Sequence, residues 1–434
     1  MTTHNTADAA EVSGVKKKRI FGPHLLVSVL LCSLYFIMYL DRVNISLAAK
    51  DMMKEFSFST TQIGFAFSAF SWPYLIGQLT GGWFVKQFGA RFFLFLCGII
   101  VALSTIYTGF VSGFVTLFLA RLLLGCGEGP TFSAATSAMR DWYSSKRFGF
   151  IQGITHSASR LGGALAPPLV ALCISMEGWR MSFYVCGAIS LVWAILWWIF
   201  YRNDPHSHPG MTAEELKELP LPSKITKKSK TPFWGLAARM APVTVVDFCY
   251  GWMLWVFISW LPLFFQNVHG LDLKRSALLA GLTMGAGVIG DTLGGMVSDH
   301  ILVRTGNKRI ARNLFIAFAF ILAGGFLLAT FYTRDVTTIA ILLCGSFFSL
   351  ELICGTIWAV PMDISRSFAG VCGGMMNFGF GLAGIISPIL FGYVVDVTKS
   401  WVIPFAISVG ICGCGALLTW FMHPERPFDS EEMA

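Results

Sequence analysis

Apolar residues along this chain neither alternate nor recur every third or fourth position. They come in blocks of twenty or more, divided by short polar breaks. Runs of about 18 or more apolar residues read as helices that cross a membrane. Twelve such spans are predicted, at 24–49, 60–83, 91–111, 114–139, 147–175, 181–201, 241–266, 276–298, 310–332, 337–362, 369–396 and 401–422. One polar break is much longer than the others: "RNDPHSHPGMTAEELKELPLPSKITKKSKTP", rich in Pro and Lys. Within it, "TAEELKEL" has the form of a short helix capped by Thr212. The pattern predicts a tail (1–23), a six-helix bundle (24–201), a linker (202–240), a second six-helix bundle (241–422) and a closing tail (423–434). The fold class is therefore all-α, a membrane protein of twelve transmembrane helices.

The amino end is polar up to "KKKR" (Lys16 to Arg19). The apolar run after it is too long for a signal-peptide core and lacks a small-residue cleavage site, so it reads as a retained first span. The two halves repeat one another. "GGWFVKQFGARF" closes span two and "GGMVSDHILVRTGNKR" closes span eight, and a shift of 213 puts Gly82 on Gly295. "HSASRLGGALAPPL" in span five resembles "NFGFGLAGIISPIL" in span eleven, and a shift of 221 puts His156 on Asn377 and Pro167 on Pro388. Matching helices with matching breakers imply a parallel repeat of six helices, pseudo-symmetric about an axis along the membrane normal.

Composition agrees: 55% of residues are hydrophobic and 13% charged, against about 25% charged in average soluble domains. The formal charge of +8 does not point to nucleic acid, because the basic residues divide by membrane side. The side holding both termini and the linker has 22 of the 32 Lys and Arg, the opposite side 7, and 3 lie within spans. That bias predicts cytoplasmic termini. The eleven Cys contain no C-x-x-C pair and no metal-ligand spacing, so they read as small buried hydrophobes. With no metal cluster, phosphate loop or nucleophile motif, the sequence does not read as an enzyme.

The chemistry lies in charges inside the spans, where each costs several kcal/mol unless paired or wetted. The bases are Arg42, Arg121 and Arg160; the acids are Asp41, Glu128, Asp247, Asp291 and Glu351. Arg42 has the planar fork that grips a carboxylate in two parallel bonds, or it pairs structurally with an acid on another helix. Under the 213 shift it falls on Trp255, and Asp41 falls on Leu254, so the fold's symmetry does not require the pair. Adjacent helical residues point about 100° apart. Arg42 can thus face a central cavity while Asp41 faces a helix seam, as a proton site or a fixed salt bridge. Glu128, beside Pro130 in "GCGEGP", is a second proton-site candidate, the alternative being a satisfied packing acid. Arg121 lies seven residues from Glu128 on the same face, about 10 Å along the axis; it pairs with Glu128 on a change of shape, or with Asp41.

Arg160, Ser159 and His156 cluster in span five as candidates for binding substrate hydroxyls or charge, with structural roles open for each. Trp255, Trp358 and Asn377 supply an opposite wall of rings and an amide, with Trp252 three residues before Trp255. Tyr74 in span two is a further polar candidate. Asp247 sits near the terminus-side end of span seven and reads as solvated; Asp291 and Glu351 have no evident partner in the sequence.

The 6+6 division, the Gly-rich loops after spans two and eight, and "YLDRVNISLA", "LLGCGEGPTFSAA", "SRLGGALAPPLV" and "GGMMNFGFGLAGIISPILFGYV" together resemble the anion:cation symporters of the major facilitator superfamily. The resemblance covers nearly the whole chain. It implies that Arg42 meets a substrate carboxylate and that Asp41 carries a proton; Glu128, as a second carboxylate in the same half, gives a proton relay, and no cofactor besides protons is expected. It also implies a gating motif at Gly82, Lys86, Gly89, Arg91 and, in the second half, Asp299. The family usually has an acid where this chain has Lys86, which puts the first-half latch in doubt. The implied function is proton-coupled symport of a small organic anion, a sugar acid (hexonate, hexarate or hexuronate), by a monomer in a bacterial inner membrane. Aromatic or small di- and tricarboxylic acids, or organic-anion exchange, are the alternatives. A transporter-like sensor would need a signalling domain, which the sequence lacks.

Overall fold

A computed structural model describes residues 22–143, 145–208, 211, 232–365 and 368–428. The predicted Thr212 helix lies outside the described residues. All regular structure among them is helical. Ten helices are long and apolar enough to cross a membrane. The other two predicted spans are each broken by a proline. In span two, Thr60–Ala69 gives way to Ser71–Thr108 at Phe70, where Pro73 has no N–H for the Ala69 carbonyl. In span four, Phe114–Glu128 meets Thr131–Trp142 at Pro130. The Thr131 hydroxyl donates to the Gly127 carbonyl at 2.8 Å and so repairs part of the lost ladder.

Ser71–Thr108 itself contains two spans, joined where Gly89 adopts φ 76°, ψ 152°. A side chain at Gly89 would be strained by that φ and would strike Asn203. Asn203 Oδ1 accepts from Arg91 N at 2.8 Å, which closes the corner.

Several helices run past their predicted ends, among them the first, the seventh and the eighth, the last over Leu273–Thr305. The first spans Pro23–Phe56 and the seventh Phe233–Val268. Hydropathy registers only the part of a helix that lies in lipid, whereas polar residues carry the first helix further. Its Glu55 is held by Arg180 (2.6 Å) and by Trp179 Nε1 (2.9 Å).

The predicted repeat appears in the packing. Within the first half, span one lies on span five and span three on span six; within the second, span seven lies on eleven and nine on twelve. Between halves, span five lies on eight and span eleven on two. Each contact has its partner under exchange of the halves, so the protein is two six-helix bundles related by a pseudo-two-fold axis.

The halves meet most closely on the side of the loop between spans one and two, called here the loop side. There Asp396 of span eleven accepts from Thr60 N (3.2 Å), Thr61 N (2.6 Å) and Thr61 Oγ1 (2.5 Å) of span two. A Cβ on Gly64 or Gly392 would strike the Pro388 or Thr60 carbonyl across this seam, so glycine permits the approach. Toward the termini, Thr131–Trp142 and Val360–Ile364 pack chiefly within their own halves. Among the described residues the halves thus hold one another closely at the loop side and less toward the terminus side.

Candidate functional site

Span one brings four rings around one guanidinium. The Arg42 carbon Cζ lies 5.2, 5.0, 4.9 and 5.7 Å from the ring centres of Tyr39, Phe70, Tyr74 and Phe132. Its Nε donates to Glu128 Oε2 at 2.7 Å, and the two side chains are 3% and 0% exposed. Arg42 Nη2 and Glu128 Oε1 have no protein partner among the described residues. The acid partner predicted as an alternative for Arg42 is thus Glu128, so Arg121 does not pair with Glu128 in this state. Arg121 is buried over Phe70 (5.3 Å), electrostatically coupled to both Asp41 and Glu128, with Nε lacking a partner among the described residues.

Asp41 faces the other way, into the seam between spans one and six. There the Ser190 hydroxyl donates to its Oδ2 at 3.1 Å. The 100° step between neighbours thus separates an arginine that faces the interior from an acid held in a helix seam. The region carries two bases and two acids, all buried: charge-balanced, but with donors and acceptors left over.

A second cluster, which the sequence did not show, crosses between the halves. Arg160 of span five reaches Asp291 of span eight (Nε to Oδ2, 3.2 Å) and Glu351 of span ten (Nη2 to Oε2, 3.1 Å; Nη1 to Oε1, 3.3 Å). It also donates to Tyr39 OH (3.3 Å), Tyr250 OH (3.4 Å) and Cys354 Sγ (2.9 Å). The two acids without evident partners therefore share one cation from the opposite half. No one-dimensional signal pairs them, because the partners lie 131 and 191 residues away. Asp291, Glu351 and Cys354 sit close enough to hold a metal ion, but Arg160 already supplies the cation there.

The other predicted residues divide. Tyr74 is buried against Arg42. His156 is edge-on to Tyr35 and stacked on Phe132, bonded to Gln152 at 3.1 Å. The Ser159 hydroxyl is spent on the His156 carbonyl at 2.6 Å. Trp255 lies between Phe70 and Phe380 (5.9 and 5.6 Å), its Nε1 without a partner among the described residues. Trp252 does not share that wall: its Nε1 donates to Ser408 of span twelve at 3.1 Å. Three residues advance a helix by about 300°, enough to turn it into another seam. Asn377 is partly buried and makes no hydrogen bond among the described residues. Trp358 is 42% exposed, at the turn between Val336–Ile357 and Val360–Ile364, so it is not the deep ring that its place in span ten suggests. Asp247 is corrected too: it is 3% exposed, with Oδ2 unpartnered among the described residues, rather than solvated. An apolar groove of about 310 Å³ on the flank, lined by Pro73, Phe84, Phe93 and Cys126 among others, holds none of these charges.

The Major Facilitator Superfamily profile matches residues 31–384. The chain belongs to the major facilitator superfamily. It is 44% identical over 421 residues to a protein of Cupriavidus necator named a probable sulfoacetate transporter, covering 96% of this chain and 97% of that one. It is 30% identical to the hexuronate transporter of Bacillus subtilis, covering 86% and 88%. Its fold matches the crystal structure of a D-xylose-proton symporter with TM-score 0.74 at 16% identity, covering 93% and 98%. The protein is a transporter of this superfamily, not an enzyme.

The loops expected to gate differ between halves. In the second, Arg312 binds Asp299 (2.9 Å), Asp363 (3.1 Å) and the Ser298 hydroxyl (2.5 Å), and Lys308 adds a bridge to Asp363 (3.1 Å). In the first, Lys86 is exposed and a Cβ on Gly82 would meet nothing within 4 Å. Arg91 is instead turned to the Trp198 carbonyl (2.7 Å) and stacked on that indole (4.4 Å).

Proposed function

We propose that the transporter is a proton-coupled symporter that imports a small organic anion, whose carboxylate exchanges for Glu128 on Arg42. The observation that carries this reading is the fully buried Arg42–Glu128 pair with spare capacity on both partners. A carboxylate that takes Arg42 leaves Glu128 buried with no ion-pair partner, sharing with Asp41 the more distant charge of Arg121, and a buried carboxylate so placed protonates rather than stay charged. Substrate and proton thus bind together. Protons are also needed electrically, because an anion entering against an inside-negative potential costs about 2.3 kcal/mol per charge per 100 mV.

With cytoplasmic termini, as the Lys and Arg bias supports, the closely held loop side faces the periplasm and this is an inward-facing state. In the cycle, Asp41 and Glu128 load protons from the periplasm and the anion docks on Arg42 between the halves. The bundles then rock, the anion and the protons leave to the cytoplasm, and Glu128 returns to Arg42.

The hexuronate transporter supports a sugar acid as substrate. The relative named for sulfoacetate, 44% identical against 30% for the hexuronate transporter, supports a shorter anion. Uptake and counterflow in proteoliposomes test the proposal. Glu128→Gln lowers accumulation driven by a pH gradient by more than about tenfold, while counterflow falls far less. Wild-type accumulation in Glu128→Gln would remove Glu128 from coupling; counterflow with no gradient-driven accumulation in the wild type would make the protein an exchanger.

A further inference from the structure

We infer that Arg160 with Glu351 and Asp291 is a second anion subsite, which selects short dianions and binds a second proton on Glu351. The inference rests on the reading of Arg42 above and extends it across the interface between the halves.

Both arginines lie against one ring. Arg42 Cζ is 5.2 Å and Arg160 Cζ 5.9 Å from the Tyr39 ring centre, so they are at most about 11 Å apart. A carboxylate or sulfonate held in a fork sits about 4 Å from the guanidinium carbon, and one tetrahedral carbon separates two such heads by about 3 Å. A dianion with a one-carbon spacer therefore reaches both arginines. An extended six-carbon diacid needs about 14 Å, beyond that limit.

The second head takes the place that Asp291 and Glu351 now occupy. Their burial differs: the Asp291 side chain is 18% exposed, that of Glu351 0%. Freed from Arg160, Asp291 keeps its access to water. Glu351 has neither water nor another cation, and takes a proton from solvent in the opening between the halves. The proton returns to solvent when the anion leaves and Glu351 rejoins Arg160. Each arginine thus trades its own acid for one head of the substrate, with one proton taken up per head. Because Arg160 and its acids lie on opposite halves, the exchange also releases a bond between the bundles as they move.

Proteoliposomes with a trapped pH dye test this with malonate, sulfoacetate, glucarate and the monoanion glycolate. In the wild type, malonate and sulfoacetate compete better than glucarate and carry one more proton per molecule than glycolate. Arg160→Gln raises the malonate KM at least tenfold and the glycolate KM less than threefold, and Glu351→Gln abolishes the extra proton. Should Arg160→Gln fail to elute as a folded protein, Arg160→Gln/Glu351→Gln removes both charges together and gives the same KM ratio. Equal proton counts for malonate and glycolate in the wild type, or equal KM changes in the variant, overturn this inference alone. A wild type that moves none of the four anions overturns the underlying transport reading as well.

Discussion

The two halves share a fold but handle charge differently. The first buries Arg42, Arg121, Asp41 and Glu128 together, so its charges balance within one bundle. The second buries Asp247 and Glu351, with Asp291 half-buried, and borrows its cation, Arg160, from the first. The related spans four and ten each hold an acid bound to an arginine. Arg42–Glu128 lies inside one bundle, so rocking alone does not pull it apart and only the anion does, whereas Arg160–Glu351 bridges the bundles and must respond to the motion itself. A binding site benefits from the first arrangement and a conformational coupling from the second.

The strongest test of this contrast is Arg42→Ala. It strands Glu128 in the bundle, at a cost of roughly 3–5 kcal/mol, and lowers counterflow by more than about a hundredfold. Restored thermal stability without restored transport is expected when Glu128→Gln is added. If transport returns as well, Arg42 serves the scaffold alone.

Next in size, Arg312→Ala leaves Asp363 with Lys308 alone and removes the bond to the Ser298 hydroxyl, which destabilises the second half by about 2–3 kcal/mol, read as a lowered unfolding midpoint. The Asp299 arm contributes little of this, because that side chain is 69% exposed. An unchanged midpoint would mean that the second-half loop is as loosely held as the first.

Asp396→Ala removes three hydrogen bonds to one carboxylate, about 2 kcal/mol of loop-side closure. Spin labels at Lys54 and Lys399 should then show a broader, longer distance distribution. An unaltered distribution would place the closure in the glycine seams instead.

Smallest is Lys86→Asp, which gives the first half the acid of the second. Among the described residues no counterpart of the Arg312–Asp363 pair receives it, so transport rates should stay within about threefold. A large gain would mean that the first-half latch lacks only its acid.

Much of the architecture was legible because lipid imposes a simple rule: backbone polar groups must be satisfied within each helix, and the helix must be apolar over about 20 residues. The twelve spans, the repeat and the direction of Asp41 relative to Arg42 follow from run length, a constant shift and the 100° helical step. Where the expectations missed, position around or along the helix decided. Trp252 turned to Ser408, Trp358 fell at a turn, and Asp247 lay below the surface. A hydropathy window reports none of these.

By itself, then, the sequence determined that the chain crosses a membrane in two repeated six-helix bundles and which charges lie inside them. Composition and period are local properties, and the bilayer converts them directly into helices. Only the tertiary structure decided which charges meet: that Glu128, rather than solvent, holds Arg42, and that Arg160 serves two acids of the other half. Pairing depends on helices distant in sequence arriving at one depth and facing, which the packing of all twelve spans sets together.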